Sequence, residues 1–315
     1  PPGRAPLSRF TGGGTTASVR GGASSLSLVL GCASFLRLAR FKLLHLVWAQ
    51  SLHSLRIMAN GLHRIKTSIR AVWRGMRLLA HVAKGAWIVA FRFPQLHYWQ
   101  QHEHVQAWAA TLMLRAGVEL QIKGEPPAKG PVMLVSNHIS WLDIPMLHAA
   151  RHCRFISKSD VKGWPIIGTL ATAAGTLYIQ RSSRRDAMRM VGAMEDAFKR
   201  SEILAVFPEG TTGDGRELLS FHSNLLEAAV QCDAPVQPVG LRFVDGKTGQ
   251  TSYAATYVGD ETLLGSIWRV LSSDQLQAVV HYGQPHTATR RARRAWAKDM
   301  HAGVDRLRQS PRHQN

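Results

Sequence analysis

Apolar and polar residues change period several times along this chain, and each change marks an element. Residues 132–135, Val-Met-Leu-Val, form a continuous apolar run between Pro131 and Ser136. Such a short, bounded run predicts a buried strand. Further strand patterns occur at 118–123, 154–157, 176–179, 203–207 and 236–243, and again at 253–258 and 276–282. Helical spacing separates them. Residues 141–150 read as the first turns of one helix, and 183–200 carry Met188, Val191, Met194 and Phe198 on one face. A helix at 97–117 is closed by Gly117 as a C-cap, and a basic helix occupies 287–308, where His301 and Asp305 are spaced as an i,i+4 surface pair. Strands alternating with helices predict an α/β domain at 101–315, with a largely parallel sheet flanked by helices.

The front of the chain has another pattern. Ile65, Ile69, Val72, Trp73, Met76, Leu79 and Ala80 recur at helical spacing, with Arg70, Arg74 and Arg77 between them. Residues 78–93 are mostly apolar but interrupted by His81 and Lys84. No uncharged run reaches the ~18–20 residues of a spanning helix. Basic amphipathic helices carrying Trp73 and Trp87 suit a membrane interface, as one interfacial helix or a shallow re-entrant pair. Residues 58–100 are therefore expected to be a membrane-associating helical segment. Residues 1–57 are low in complexity, with Gly-rich stretches at 12–14 and 21–22, and contain no methionine. They are expected to be a low-complexity basic leader, either an upstream extension ahead of a native start at Met58 or an acid-free targeting leader.

Charge sharpens this division. The formal net charge is +19, and the first 102 residues hold 14 Lys and Arg and no acid. A basic, apolar front suits an anionic lipid surface. Nucleic acid is the rival partner for such charge, but no recognition helix, zinc-finger spacing or aromatic RNA-binding motif accompanies it, so no nucleic-acid partner is expected. Cys32, Cys153 and Cys232 are scattered and odd in number, which argues against a disulfide framework and suits a reducing, cytosolic setting.

The chemistry-bearing stretch is Asn137-His138-Ile139-Ser140-Trp141-Leu142-Asp143. It puts a histidine at a strand-to-helix junction, where open α/β sheets bind ligands. Asp143, one turn into the helix, can hold Nδ1 and leave Nε2 as a base. Ser140 is placed to cap the helix, and Asn137 to make local turn bonds. No G-x-S-x-G elbow, P-loop, dinucleotide glycine pattern or metal-ligand cluster is present. The second stretch is Phe207-Pro208-Glu209-Gly210-Thr211-Thr212, directly after a predicted strand. Gly210 permits close backbone approach, and exposed amides there suit a phosphate or oxyanion. Glu209 is expected to meet a hydroxyl or an arginine rather than a phosphate.

Together the two stretches resemble the glycerolipid acyltransferase family, which includes 1-acylglycerol-3-phosphate acyltransferases. Two weaker blocks fall in the same order: residues 175–181, ending in Arg181, and 235–239, Pro-Val-Gln-Pro-Val. The resemblance spans about 118–283. It implies acyl transfer from acyl-CoA or an acyl carrier protein thioester to the free hydroxyl of lysophosphatidate, giving phosphatidate in phospholipid synthesis. Acylation of another lysolipid, such as a lyso-ornithine lipid, is the near alternative; Gly213 departs from the Ser or Arg expected after the threonines and keeps it open. His138 is then the base and Asp143 its partner, with no metal or other cofactor needed. Arg181 is implied as a phosphate ligand and Lys158 as a second candidate, with Glu209, Gly210 and Thr211 at the acceptor site. The implied location is the membrane, at the cytoplasmic face of the inner membrane, with membrane lipid, lysophospholipid acceptor and thioester donor as partners. A catalytically idle membrane-binding protein is the reading from another class, and the intact His138 and Asp143 argue against it.

Overall fold

The computed structural model describes residues 26–179, 184–288 and 291–309. The chain divides into two compact units at His63/Arg64. Helix α1 (Leu26–Phe91) begins in the first. In chain order there come next α2 (Tyr98–Ala116), β1 (Val118–Lys123), β2 (Val132–Ser136), α3 (Asp143–Ala150), β3 (Arg154–Lys158), α4 (Ile167–Ala173), β4 (Leu177–Ile179), α5 (Arg184–Lys199), β5 (Ile203–Val206), α6 (Glu227–Gln231), β6 (Val236–Asp245), α7 (Leu263–Ser272), β7 (Leu276–Tyr282) and α8 (Arg293–Gln309).

The seven strands form one sheet in the order β1-β7-β6-β2-β5-β3-β4. Every neighbouring pair is parallel except β6 and β7. All five residues of β2 are buried, as a central strand covered on both faces requires. Its side chains alternate between two cores. Val132 and Leu134 join Met113, Leu142, Met146 and Phe243, whereas Met133 and Val135 join Met194, Phe198, Trp296 and Met300. Each such buried side chain stabilises the fold by about 1.5–3 kcal/mol relative to exposure. The central strand is thus clamped from both sides, and the loop that leaves its carboxyl end starts from a fixed place.

From Arg64 onward, α1 turns Ala71, Leu78 and His81 inward. His81 stacks on Trp108 of α2, with ring centroids 5.2 Å apart. The periodic apolar positions face the other way: Ile69, Trp73, Met76 and Leu79 are all exposed, Leu79 by 69%. This segment is one continuous helix to Phe91 and not a re-entrant pair. Among the described residues no helix is long and apolar enough to cross a membrane.

Two expectations from the sequence fail. Residues 253–258 form no strand, because Arg269 takes the carbonyls of Ala254 and Thr256 and holds Glu261 as well. A side chain there replaces a strand partner. His301 and Asp305 do not pair: Asp305 accepts from Arg308 and Gln309, while His301 meets Phe221 edge-on. Arg308 offers a permanently charged fork that a histidine cannot match.

Candidate active site

β2 and β5 are parallel neighbours in register, with Val135 opposite Val206. Their carboxyl ends therefore stand side by side and deliver His138 and Glu209 to the same edge. The Asn137 side chain reaches across to β6, whereas the sequence suggests turn bonds close by. Its amide donates to the carbonyl of Leu241 (2.9 Å) and accepts from the Leu241 N–H (2.7 Å). The last backbone pair between β2 and β6 is Ser136 with Val239. Successive residues paired on one side of a strand lie two apart. The Asn137 side chain thus takes the ladder position that β2 vacates as it turns away, which fixes where His138 begins.

His138 Nδ1 lies 2.8 Å from Asp143 Oδ2. The same oxygen accepts the N–H groups of Ile139 (2.6 Å) and Ser140 (2.8 Å). Asp143 is fully buried at the first position of α3. A negative charge suits a helix start, and the loop amides converge on it. A carboxylate only accepts, so Nδ1 carries the proton toward it and Nε2 is the basic nitrogen. Ser140 does not cap α3 as the sequence suggests: its Oγ accepts from the Leu142 N–H at 3.1 Å, a local turn bond one step ahead of the helix, whose N-cap is Leu142. The imidazole stacks on Phe207, centroids 4.1 Å apart and planes within 9°, which leaves its side chain 19% exposed. Trp141 reaches α7, donating Nε1–H to Ser266 Oγ at 3.2 Å.

Among the described residues the partners of the Glu209 carboxylate are backbone amides. It is buried, with Oε1 accepting the His138 N–H (2.7 Å) and Oε2 the Leu219 N–H (2.9 Å). Burial pushes its carboxyl above the usual range, against the lowering effect of those two amides. Its role in this geometry is to brace the backbone that carries the histidine. Gly210 has φ +72°, a left-handed conformation that favours glycine. Its amide closes a turn onto the Phe207 carbonyl (3.0 Å) and is not presented outward to an anion. Thr211 is exposed beside it. The Gly213 N–H donates to the His138 carbonyl at 2.8 Å. A Cβ at Gly213 would meet Glu209 Oε2 at 3.5 Å, an ordinary contact, so its departure from Ser or Arg is no steric demand.

Lys158 is exposed at the carboxyl end of β3, with β5 between that strand and β2. Arg181 lies outside the described residues; β4 ends just before it at Ile179. Sequence reasoning gave no role to Phe207 or Leu219. Both act through stacking or a backbone amide, which no residue pattern reports.

The family described as Acyltransferase matches residues 117–242. A lyso-ornithine lipid O-acyltransferase of Pseudomonas aeruginosa is 34% identical over 66% of this chain and 81% of its own length. The chain belongs to the acyltransferase family. This acyltransferase is also 34% identical to a 1-acyl-sn-glycerol-3-phosphate acyltransferase of Neisseria gonorrhoeae, over 55% of this chain and 67% of the relative. In fold it matches the 1-acyl-sn-glycerophosphate acyltransferase PlsC of Thermotoga maritima, with a TM-score of 0.58 at 16% identity, over 80% of this chain and all of that one. It is an enzyme of lipid biosynthesis, in the lysophospholipid acyltransferase family.

Proposed function

We propose that this acyltransferase moves a fatty acyl group from a thioester, acyl-CoA or acyl carrier protein, to the free hydroxyl of lysophosphatidate. The observation that carries the reading is the His138–Asp143 pair, with Nδ1 held by a buried carboxylate at 2.8 Å. His138 Nε2 takes the acceptor's hydroxyl proton as the oxygen attacks the thioester carbonyl. The C–S bond of the tetrahedral intermediate then breaks, and the imidazolium returns the proton to the thiolate. Asp143 holds the tautomer and stabilises the imidazolium without itself being protonated. Such a positioned base supplies about 10²–10⁴ in rate. Both substrates carry acyl chains, and the exposed apolar face of α1, flanked by basic residues, suits a membrane-associated enzyme at the cytoplasmic face of the inner membrane.

Arg181 is the proposed ligand of the acceptor's phosphate, with Lys158 second. A bidentate guanidinium–phosphate contact is worth roughly 1.5–3 kcal/mol. Arg181→Ala is therefore expected to lower kcat/KM for lysophosphatidate by about ten- to a hundredfold. The KM for the donor should stay within about twofold, as expected when a lost contact is made to the other substrate alone. A second acceptor, a lyso-ornithine lipid, is favoured by the likeness to the Pseudomonas aeruginosa enzyme over 81% of that protein's length. Assay of the purified enzyme with both acceptors and both thioesters separates the readings. Turnover of lyso-ornithine lipid with none of lysophosphatidate overturns the first.

A further inference from the structure

The turn that enters α4 presents large apolar side chains that neither core takes up. Residues 164–167 read Trp-Pro-Ile-Ile. Trp164 is 50% exposed and Ile166 48%, and every residue from Lys162 to Ile167 is exposed. Ile166 also has φ +62°, a left-handed conformation that a β-branched residue rarely adopts. An isoleucine here is neither buried nor suited to its backbone. Its place is accounted for by something outside the fold.

Facing this turn is the end of α1. The two border an open groove of about 430 Å³, lined by Val89, Phe93 and Pro94 on one side and by Lys162, Gly168 and Thr169 on the other. Just before that lining, Trp87 and Phe91 are exposed, with ring centroids 5.6 Å apart. They end an exposed stripe that runs along α1 from Ile69 through Trp73, Met76, Ala80 and Ala83, at spacings of three and four residues. The outward apolar face of α1 thus leads to the groove. Residues 84–94 and 160–167 carry Lys84, Arg92 and Lys162 against one acid, Asp160. Tryptophan and aliphatic side chains set among basic residues suit the interface of an anionic bilayer.

We propose that the turn at residues 164–167 is a second membrane anchor, which enters an anionic bilayer surface together with the apolar stripe of α1. This deepens the membrane association proposed above and rests on it only for the side from which the bilayer approaches. A single helical stripe leaves the protein free to roll about the helix axis. A second contact away from that axis removes the freedom. The turn follows the carboxyl end of β3, and β3, β5 and β2 are parallel. The anchor therefore stands at the sheet edge that carries His138, and it turns that edge toward the bilayer holding the lipid acceptor.

The test puts an environment-sensitive fluorophore on single cysteines of the full-length protein, with Cys32 and Cys232 replaced by Ser and the buried Cys153 retained. The labelled positions are Ile166→Cys in the turn, Trp73→Cys in the α1 stripe and Lys298→Cys on α8, which packs on the other face of the sheet. Vesicles of phosphatidylethanolamine and phosphatidylglycerol are added, with a spin-labelled lipid as quencher. A blue shift and quenching are expected at 166 and 73 and not at 298. A response at 73 alone overturns the second anchor and leaves the α1 contact standing; a response at 166 alone does the reverse. No response at either overturns both, and an equal response at 298 overturns the oriented contact. Binding of a Trp164→Ser, Ile166→Gly variant gives an independent reading. Glycine adopts positive φ without steric cost, so the melting temperature should change little. Vesicle affinity is expected to fall about tenfold or more, as loss of two buried apolar side chains implies. Unchanged affinity of the folded variant overturns the proposal.

Discussion

Asn137 sits beside the reactive histidine and holds in place the backbone on which its neighbours depend. Its amide satisfies both backbone groups of Leu241 at the point where β2 leaves the ladder. The side chain is buried, so Asn137→Ala strands a buried N–H and a buried carbonyl, each costing about 1–3 kcal/mol. A loss of about 2 kcal/mol or more is expected in urea denaturation. Asn137→Asp should not rescue it, since a carboxylate would face the Leu241 carbonyl. A change below about 0.5 kcal/mol would contradict this role, being the size of an ordinary surface substitution. The histidine and its aspartate were legible in the sequence because their relation is local, a strand end followed by one helical turn. The partners of Asn137 and Glu209 were not, because they lie 104 and 71 residues away. Only the register of parallel neighbours brings them together.

At the scale of elements, α2 meets α3 and the turn after it through three neighbouring histidines. His102 of α2 lies 4.0 Å from His152, and His152 lies 5.2 Å from His148 of α3, centroid to centroid. His148 in turn meets Phe155, which stacks on Phe207 beneath the catalytic ring. Burial, with a smaller contribution from His102, pushes His148 down to about 3. Burial also pushes His152 down to about 2, helped by His148, His102, Arg151 and Arg154. Tyr98 and Glu202 complete the surroundings; Glu202 bonds to Tyr98, Arg200 and Arg154. Both histidines are neutral in the fold and titrate near 6.5 when unfolded. Their contribution is therefore present above that pH and is lost as pH falls below it, by up to about 1.4 kcal/mol per pH unit per histidine. Urea midpoints between pH 7.5 and 5 should fall accordingly, and more gently in a His148→Leu, His152→Leu double variant. Equal slopes in the two proteins would contradict the burial of neutral imidazoles. The strands were readable in the sequence wherever apolar runs were short and bounded. Residues 253–258 misled because Arg269, not a neighbouring strand, satisfies their carbonyls. The placing of β7 between β1 and β6, parallel to the first and antiparallel to the second, has no local signature at all.

For the molecule as a whole, the lopsided charge and the outward apolar face of α1 belong together. Trp73 is 57% exposed and Leu79 69%, on a helix whose opposite face is packed. Replacing Ile69, Trp73 and Leu79 by Ser removes apolar area without touching the buried Ala71, Leu78 and His81. Flotation with anionic vesicles should weaken by about tenfold or more, since ~1.4 kcal/mol suffices for each factor of ten. Unchanged flotation would move the membrane contact elsewhere. The central claim concerns His138, and one measurement reaches it directly: single-turnover acyl transfer by the purified full-length His138→Ala variant, with lysophosphatidate and a lyso-ornithine lipid each offered alongside an acyl thioester. A base in this position predicts a rate reduced at least about a hundredfold with whichever acceptor the wild type uses, while melting temperature and vesicle flotation hold. A folded variant that keeps more than about a tenth of the wild-type rate would contradict general-base catalysis by His138.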